Sequence, residues 1–238
     1  MRRFFCQEPI GGARVVLTGE EAHHLLRVDR IRIGETVTLF DGLGGEHVAR
    51  LAAAGGASAE LDIVEHHPED RLPATRLVLA CAMGRGRHMD ALVQMTCELG
   101  VAALWPVVTR RSVVRGGEGK IEHWRRIVVE SCKQSGRNRL MEVEPPMQLP
   151  AALARASGHK FVLSTETGTR PLPELLTEAT GGRPAEVALL VGPEGGFTEE
   201  EVSAAARSGF APAGLTPTVL RIETAAVAAS ALVLLTLG

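Results

Sequence analysis

Beyond Pro73 the chain alternates short apolar runs with segments of helical periodicity, and this alternation constrains its fold more than any other feature. The runs at 77–83, 101–108, 160–164 and 187–191 read as buried strands. Residues 89–99 and 121–135 carry apolar positions at helical spacing and end at Gly100 and Gly136, while 171–178 and 198–208 read as further helices. Strand followed by helix, repeated, predicts an α/β domain whose mostly parallel sheet is covered on both faces. Such sheets bind ligands at the carboxyl ends of their strands, so the loops there are where chemistry is expected.

The first seventy residues follow a different pattern. Short runs at 15–17, 36–40, 48–51 and 59–64 are punctuated by Gly11-Gly12, Gly34, Asp41-Gly42 and Gly55-Gly56, which predicts strands joined by tight turns. That suits a small β-barrel. Residues 19–28 fit one or two helical turns, with Thr18 as the expected cap and Glu20-Glu21 in the first turn. The stretch 66–73 is polar, bounded by prolines and aperiodic, and reads as a linker. A chain of 238 residues then divides into a β-rich domain over 1–72 and an α/β domain over 73–238.

Composition removes several function classes. The net charge of -2 rules out a globally basic nucleic-acid coat, so any basic surface must be local. Aromatic residues make up 3% and Tyr is absent, which argues against a stacking platform for single strands. Four cysteines lie far apart with no C-x-x-C pair, and His23-His24 and His66-His67 have no third ligand at metal-like spacing, so no metal site is expected. The N-terminus has no apolar run for a signal peptide, and the apolar stretch 224–237 is shorter than the roughly 20 residues of a membrane-spanning helix. These features predict a cytoplasmic protein, with that stretch buried in a core or a subunit interface.

Two loops carry the candidate chemistry. Residues 192–197, GPEGGF, follow an apolar strand, with Thr198 as an expected N-cap and Glu199–Glu201 in the next turn. A Gly-rich loop lets backbone approach a ligand closely. No Gly-Lys-Ser/Thr follows and the glutamates repel phosphate, so an uncharged or cationic ligand is favoured over a triphosphate, with a plain tight turn as the alternative. In the second loop, Arg221 and Glu223 are the only charges between Gly209 and the end of the chain. Either both are solvated, or Glu223 caps the last helix while Arg221 faces a ligand. Between Trp105 and Met141 the cations, among them Arg110, Arg111, Lys133, Arg137 and Arg139, exceed the carboxylates by about six, which polarises the chain toward a phosphate-binding surface. Arg85 and Arg87 add to it, and Arg2, Arg3, Arg27, Arg30 and Arg32 extend it onto the first domain. The alternative is an ordinary solvated face.

GPEGGF at 192–197 with LRIETA at 220–225 resembles the signature of the SPOUT-class RNA methyltransferases, and within them the RsmE family, which methylates N3 of a uridine in small-subunit ribosomal RNA. CELGV at 97–101, ESCKQSGRNR at 130–139, EEAHHLLRVDRIRIGE at 20–35 and LFDG at 39–42 also match, so the resemblance spans nearly the whole chain. It implies an N-terminal PUA-like β-barrel that binds RNA and a SPOUT-type α/β domain with a trefoil knot. It implies S-adenosyl-L-methionine held by Ser164, Thr165, Leu190, Gly192, Pro193, Glu194, Gly195, Gly196, Leu215, Leu220, Arg221, Ile222, Thr224 and Ala225, mostly through backbone. It further implies a homodimer acting on small-subunit ribosomal RNA or the 30S subunit, with RNA contacts from Arg2, Arg3, Arg27, Arg85, Arg87, Arg110, Arg111 and Arg137. This chain has Ile222 where the family commonly has Thr, Met95 where a Lys is frequent, and Arg110 in place of a Glu.

Uridine N3 carries a proton and attacks a methyl group only after losing it, either to a base or through stabilisation of the charge developing on the uracil oxygens. Glu194 and Glu223 are the candidate bases, and Arg221 and Arg137 the candidate stabilisers, with the arginines favoured. The rival readings are a non-catalytic RNA-binding assembly factor, an α/β enzyme acting on a small nucleotide, and a methyltransferase of the same class acting on another RNA.

Overall fold

In a computed structural model the described residues are 2–84, 87–112, 118–166, 168–179 and 184–238, with the backbone alone for Arg87, Glu118 and Ala179. The chain divides into two compact units, Met1–Leu72 with Val129–Leu140, and Pro73–Val128 with Met141–Gly238. The sequence reading put its boundary after Leu72 and left 129–140 in the α/β half. That segment belongs with the first unit because its polar side chains find their partners there: Lys133 bonds Glu21, Asn138 bonds the Glu69 carbonyl, and Arg139 bonds Asp70.

The first unit contains β1 (Arg3–Phe5), β2 (Arg14–Thr18), α1 (Gly19–His23), β3 (Thr36–Phe40), β4 (Glu46–Gly55) and β5 (Ser58–His67). Its sheet has the order β1-β3-β4-β5-β2; β1 runs parallel to β3 and the remaining pairs are antiparallel. Register shifts after Val48 and Leu51 increase the local twist and curl the sheet over Phe4, Leu25, Val37, Leu39 and Leu61. β1 and β2 lie at opposite ends of that order, so the sheet curls into a half-barrel, which fits the small β-barrel expected here. The expected single helix over 19–28 is α1 followed by a π-helical turn, His24–Val28. Thr18 occupies the N-cap position, but its side chain makes no cap bond.

The second unit contains β6 (Arg76–Ala82), α2 (Arg87–Leu99), β7 (Ala103–Val108), α3 (Glu118–Ser135, whose last turns lie in the first unit), β8 (Glu142–Val143), β9 (Met147–Gln148), α4 (Leu149–Arg155), β10 (His159–Leu163), α5 (Leu172–Ala179), β11 (Glu186–Val191), α6 (Glu199–Arg207), β12 (Ala211–Ala213) and α7 (Ile222–Leu237). The sheet order is β12-β10-β11-β6-β7-β8, with β9 also on β7, and every pairing is parallel. Side chains alternate across it. Val78, Ala80, Trp105, Val107 and Leu190 join Leu149 and Leu153 of α4 and Ala205 of α6 in one core. Buried Leu77, Leu79 and Cys81 point the other way, where α7 covers β6 and β11 and packs on α2 and α5. β1, β8, β9, β12 and α4 were not read from the sequence; the strands are two or three residues long, too short for a periodic signal.

The apolar tail is α7. Ala226, Ala229, Val233 and Leu237 form its buried stripe, and Leu235 is 86% exposed. Among the described residues no helix is long and apolar enough to cross a membrane.

Candidate functional site

The carboxyl ends of neighbouring strands β6 and β11 bring the two loops to one edge of the sheet. Val191 pairs with Cys81, so residues 192–197 start beside the end of β6. The loop is held from within. Gly196 N–H donates to the Pro193 carbonyl at 2.8 Å, and Gly196 takes a φ of +67°, a conformation glycine adopts without strain. At Gly192 a Cβ would stand 2.8 Å from the Phe197 ring, so any larger residue would force that ring to move. Thr198 then begins α6 with a capping box: its hydroxyl accepts from Glu201 N–H at 3.3 Å, and Glu201 returns a bond to Thr198 N–H at 2.9 Å. The capping box thus engages the Thr198 and Glu201 amides, and the glutamates of this turn set a negative charge beside the loop, which suits a phosphate poorly.

The second loop arrives through α7. Arg221 is its N-cap residue and is exposed, Ile222 is buried, and Glu223 lies in the first turn. Ile222 Cδ1 would sit 3.7 Å from a Cβ on Gly84, just past β6. Glu223 does not cap the helix as anticipated; its Oε1 is 2.9 Å from Nδ1 of His88 at the start of α2. The sequence pattern alone gives His88 no role in the site. The missed signal is a histidine in the first turn of α2, facing the lone carboxylate of the last helix. Burial, with the Glu223 charge nearby, pushes the Cys81 thiol up to about 12, so this cysteine stays protonated.

The remaining expected ligand-binding positions are less uniform. Ser164 ends its strand with its N–H on the Ala213 carbonyl, and its hydroxyl accepts from Glu166 N–H; Thr165 is exposed. Leu215 and Leu220 are half-buried, Leu190 and Pro193 are buried, and Glu194, Gly195 and Thr224 are exposed. Ala225 is half-buried, and its N–H closes the first turn of α7 on the Arg221 carbonyl. The set combines backbone, apolar side chains and the hydroxyls of Ser164, Thr165 and Thr224 with one cation, Arg221, and the carboxylates Glu194 and nearby Glu223. That chemistry suits a ligand with an uncharged polar edge and a cationic centre, and suits a polyphosphate poorly.

The arginines expected on RNA separate into three groups. Arg2 and Arg27 are exposed, and Arg2 holds Asp29 through its carbonyl at 2.7 Å and its carboxylate at 3.8 Å. Arg110 and Arg111 follow β7 and turn to the Gly-rich loop and its helix. Arg111 Nη1 donates to the Gly195 carbonyl at 2.7 Å, Arg110 N–H to Glu201 at 2.8 Å, and the Arg110 guanidinium pairs with exposed Glu200 at 3.2 Å. Arg3 and Arg137 are not surface cations at all. Arg3 is bonded to Glu46 and lies 4.9 Å from the Phe40 ring centroid, while Arg137 is 4% exposed with its Nε on the Arg139 carbonyl. Both were misread because a positive charge in sequence carries no record of the acceptors that fold around it. Lys133 corrects the basic run in the same way: burial alone would lower it, but bonds to Glu21 and Glu130 outweigh this and raise it. Arg85, and the side chain of Arg87, lie outside the described residues. Among the described residues no group of three or more His, Cys, Asp and Glu side chains is placed to hold a metal ion.

Comparison with known proteins gives an independent view. Residues 70–234 match the family model of an RNA methyltransferase domain, and 17–64 match that of an RNA methyltransferase PUA domain. The chain is 33% identical over 228 residues to ribosomal RNA small subunit methyltransferase E of Synechocystis, covering 94% of this chain and 74% of that one. The Aquifex aeolicus protein of the same name is 30% identical, covering 95% and 96%. A crystal structure of ribosomal RNA small subunit methyltransferase E from Neisseria gonorrhoeae bound to S-adenosyl methionine superposes with a TM-score of 0.86 at 34% identity, covering 97% of this chain and 95% of that one.

Proposed function

This chain belongs to the ribosomal RNA small subunit methyltransferase E family of RNA methyltransferases, and we propose that it methylates N3 of a uridine in 16S ribosomal RNA, using S-adenosyl-L-methionine. The observation that carries the reading is the meeting of the loop 192–197 and the N-terminus of α7 at one carboxyl edge of the parallel sheet, in a set of groups suited to a neutral edge and a cation. A relative of the same fold binds this methyl donor. When bound, it supplies an electrophilic methyl group on a sulfonium.

The chain's own residues do the rest. Backbone of 192–196, with Leu190, Leu215, Leu220 and Ile222, holds the neutral adenosine, and Ser164, Thr165, Thr224 and Ala225 border it. Arg221, exposed at the head of α7, stabilises the charge that gathers on the uracil oxygens as N3 loses its proton. Glu223 stays with His88. Arg137, buried in the first unit, is released from that role. RNA is met by exposed cations such as Arg2 and Arg27, on a PUA-like domain over 1–72 working with the methyltransferase domain over 73–238. The trefoil knot belongs to the same proposal, supported by the enclosure of the late strand β11 between β10 and β6. So does a homodimer, supported by Leu235 standing out from an apolar helix, and a cytoplasmic site of action on the 30S subunit or its RNA.

The test is to incubate the protein with methyl-labelled S-adenosylmethionine and small subunits lacking the modification, then to identify the labelled nucleoside. Label in 3-methyluridine is expected; label in another nucleoside overturns the N3 assignment. Arg221→Ala should lower turnover on the order of a hundredfold while calorimetry finds cofactor binding retained. Unchanged turnover removes Arg221 from the mechanism.

A further inference from the structure

We propose that His88, oriented by Glu223, is the base that accepts the proton of the target nucleobase nitrogen; the assignment rests on the methyl-transfer reading above. The two side chains divide the work by depth. Glu223 is 18% exposed and His88 57% exposed, with Nδ1 and Oε1 2.9 Å apart, so the carboxylate is the anchor and the imidazole the arm in solvent. A carboxylate facing Nδ1 holds the proton on that nitrogen and leaves the Nε2 lone pair bare and directed away. An imidazole is a stronger base than a carboxylate and titrates nearer neutrality, which makes it the better acceptor for an N–H proton.

The location fits the role. His88 lies in the first turn of α2, the helix that follows β6 in the chain, β6 is the strand beside β11, and Glu223 is two residues from Arg221. The base and the cation that stabilises the resulting anion therefore share one edge. Among the described residues, the other charged or titratable groups near the pair have their own partners or stay neutral. Asp90 of α2 is turned to α3, where it accepts from Trp124 Nε1 at 3.0 Å and pairs with His123 at 3.2 Å. Cys81 of β6 stays protonated, and on α7 the charges are Arg221 and Glu223 themselves. In the step itself the N–H bond breaks, its proton passes to Nε2 and its electron pair stays on nitrogen. That pair forms the new N–C bond as the carbon–sulfur bond breaks with its electrons to sulfur, and the imidazolium later gives its proton to water.

Three measurements on the full chain decide it: single-turnover methyl transfer against pH, calorimetric binding of S-adenosylmethionine, and a long-range proton–nitrogen NMR correlation that reports which imidazole nitrogen carries the proton. His88→Gln should slow transfer on the order of a hundredfold and abolish the rise of rate with pH that precedes the wild-type plateau, with cofactor affinity kept. Glu223→Gln should turn the single Nδ1–H tautomer of His88 into a mixture and slow transfer by a smaller factor. A His88→Gln protein that keeps the wild-type rate and pH profile overturns the base assignment and leaves the methyl-transfer reading standing, as does a wild-type His88 protonated on Nε2. A wild-type protein that binds the cofactor yet labels no ribosomal RNA overturns the reading, and the assignment with it.

Discussion

Arg110 and Arg111 after β7, and Arg137 after α3, look alike in sequence and end in opposite settings. The first pair remains in solvent and reaches across to a loop carbonyl and a surface glutamate. Arg137 is buried in a polar cluster of the first unit, where Asn138 bridges the Glu69 carbonyl and Arg71 N–H, exposed Arg139 bonds Asp70, and nearby Glu46 receives both Arg3 and Arg71. A guanidinium has five donors and no acceptor, so it is buried only where oxygens converge on it. The contrast teaches that equal charge supports two different jobs, shaping a ligand loop at the surface and fixing a fold from inside.

The sharpest way to break this contrast is to remove the buried acceptor. Glu46→Ala leaves Arg3, 11% exposed, without its carboxylate, and should cost about 3 kcal/mol of stability in urea denaturation. A loss below about 1 kcal/mol would mean that the cluster is held by apolar packing instead. Arg111→Ala should do the reverse. With its bonds to the Gly195 and Phe197 carbonyls gone, stability stays within about 0.5 kcal/mol, while cofactor affinity falls roughly fivefold by calorimetry. A large stability loss there would move Arg111 into the structural class.

The smallest effect concerns the histidine beside Glu46. Burial, and the His66 ring stacked at 4.4 Å, hold His47 below its usual 6.5, against the opposing pull of Asp41. The unfolded chain therefore takes up this proton first as pH falls. The stability involved is complete above about 6.5 and is lost as pH drops through the lowered folded value. Between about pH 7.5 and pH 5.5, His47→Gln should lose less stability than the wild type, by under about 1 kcal/mol. Equal losses in both proteins would exclude His47 from the pH response.

Much of the site is legible in the order of residues along the chain. Gly192, Gly196 and Thr198 announce their turn and cap locally, since glycine's freedom and a T-x-x-E box act within a few residues, and both are realised. The His88–Glu223 pair could not be read that way, because its members are 135 positions apart and meet only through packing of α7 on α2. The same holds for Thr18, whose residue type suits a cap although the bond is not made.

By itself the sequence determined the alternation of strand and helix, the positions of both loops and the family they mark, because periodicity and turn chemistry are local properties of the chain. Only the tertiary structure decided which cations face water, that 129–140 belongs with the first unit, and that the last helix brings Glu223 to His88. Those outcomes depend on acceptors contributed from distant segments. Burial of a charge is settled by the partners that close around it, and no single stretch of sequence holds both sides of that bond.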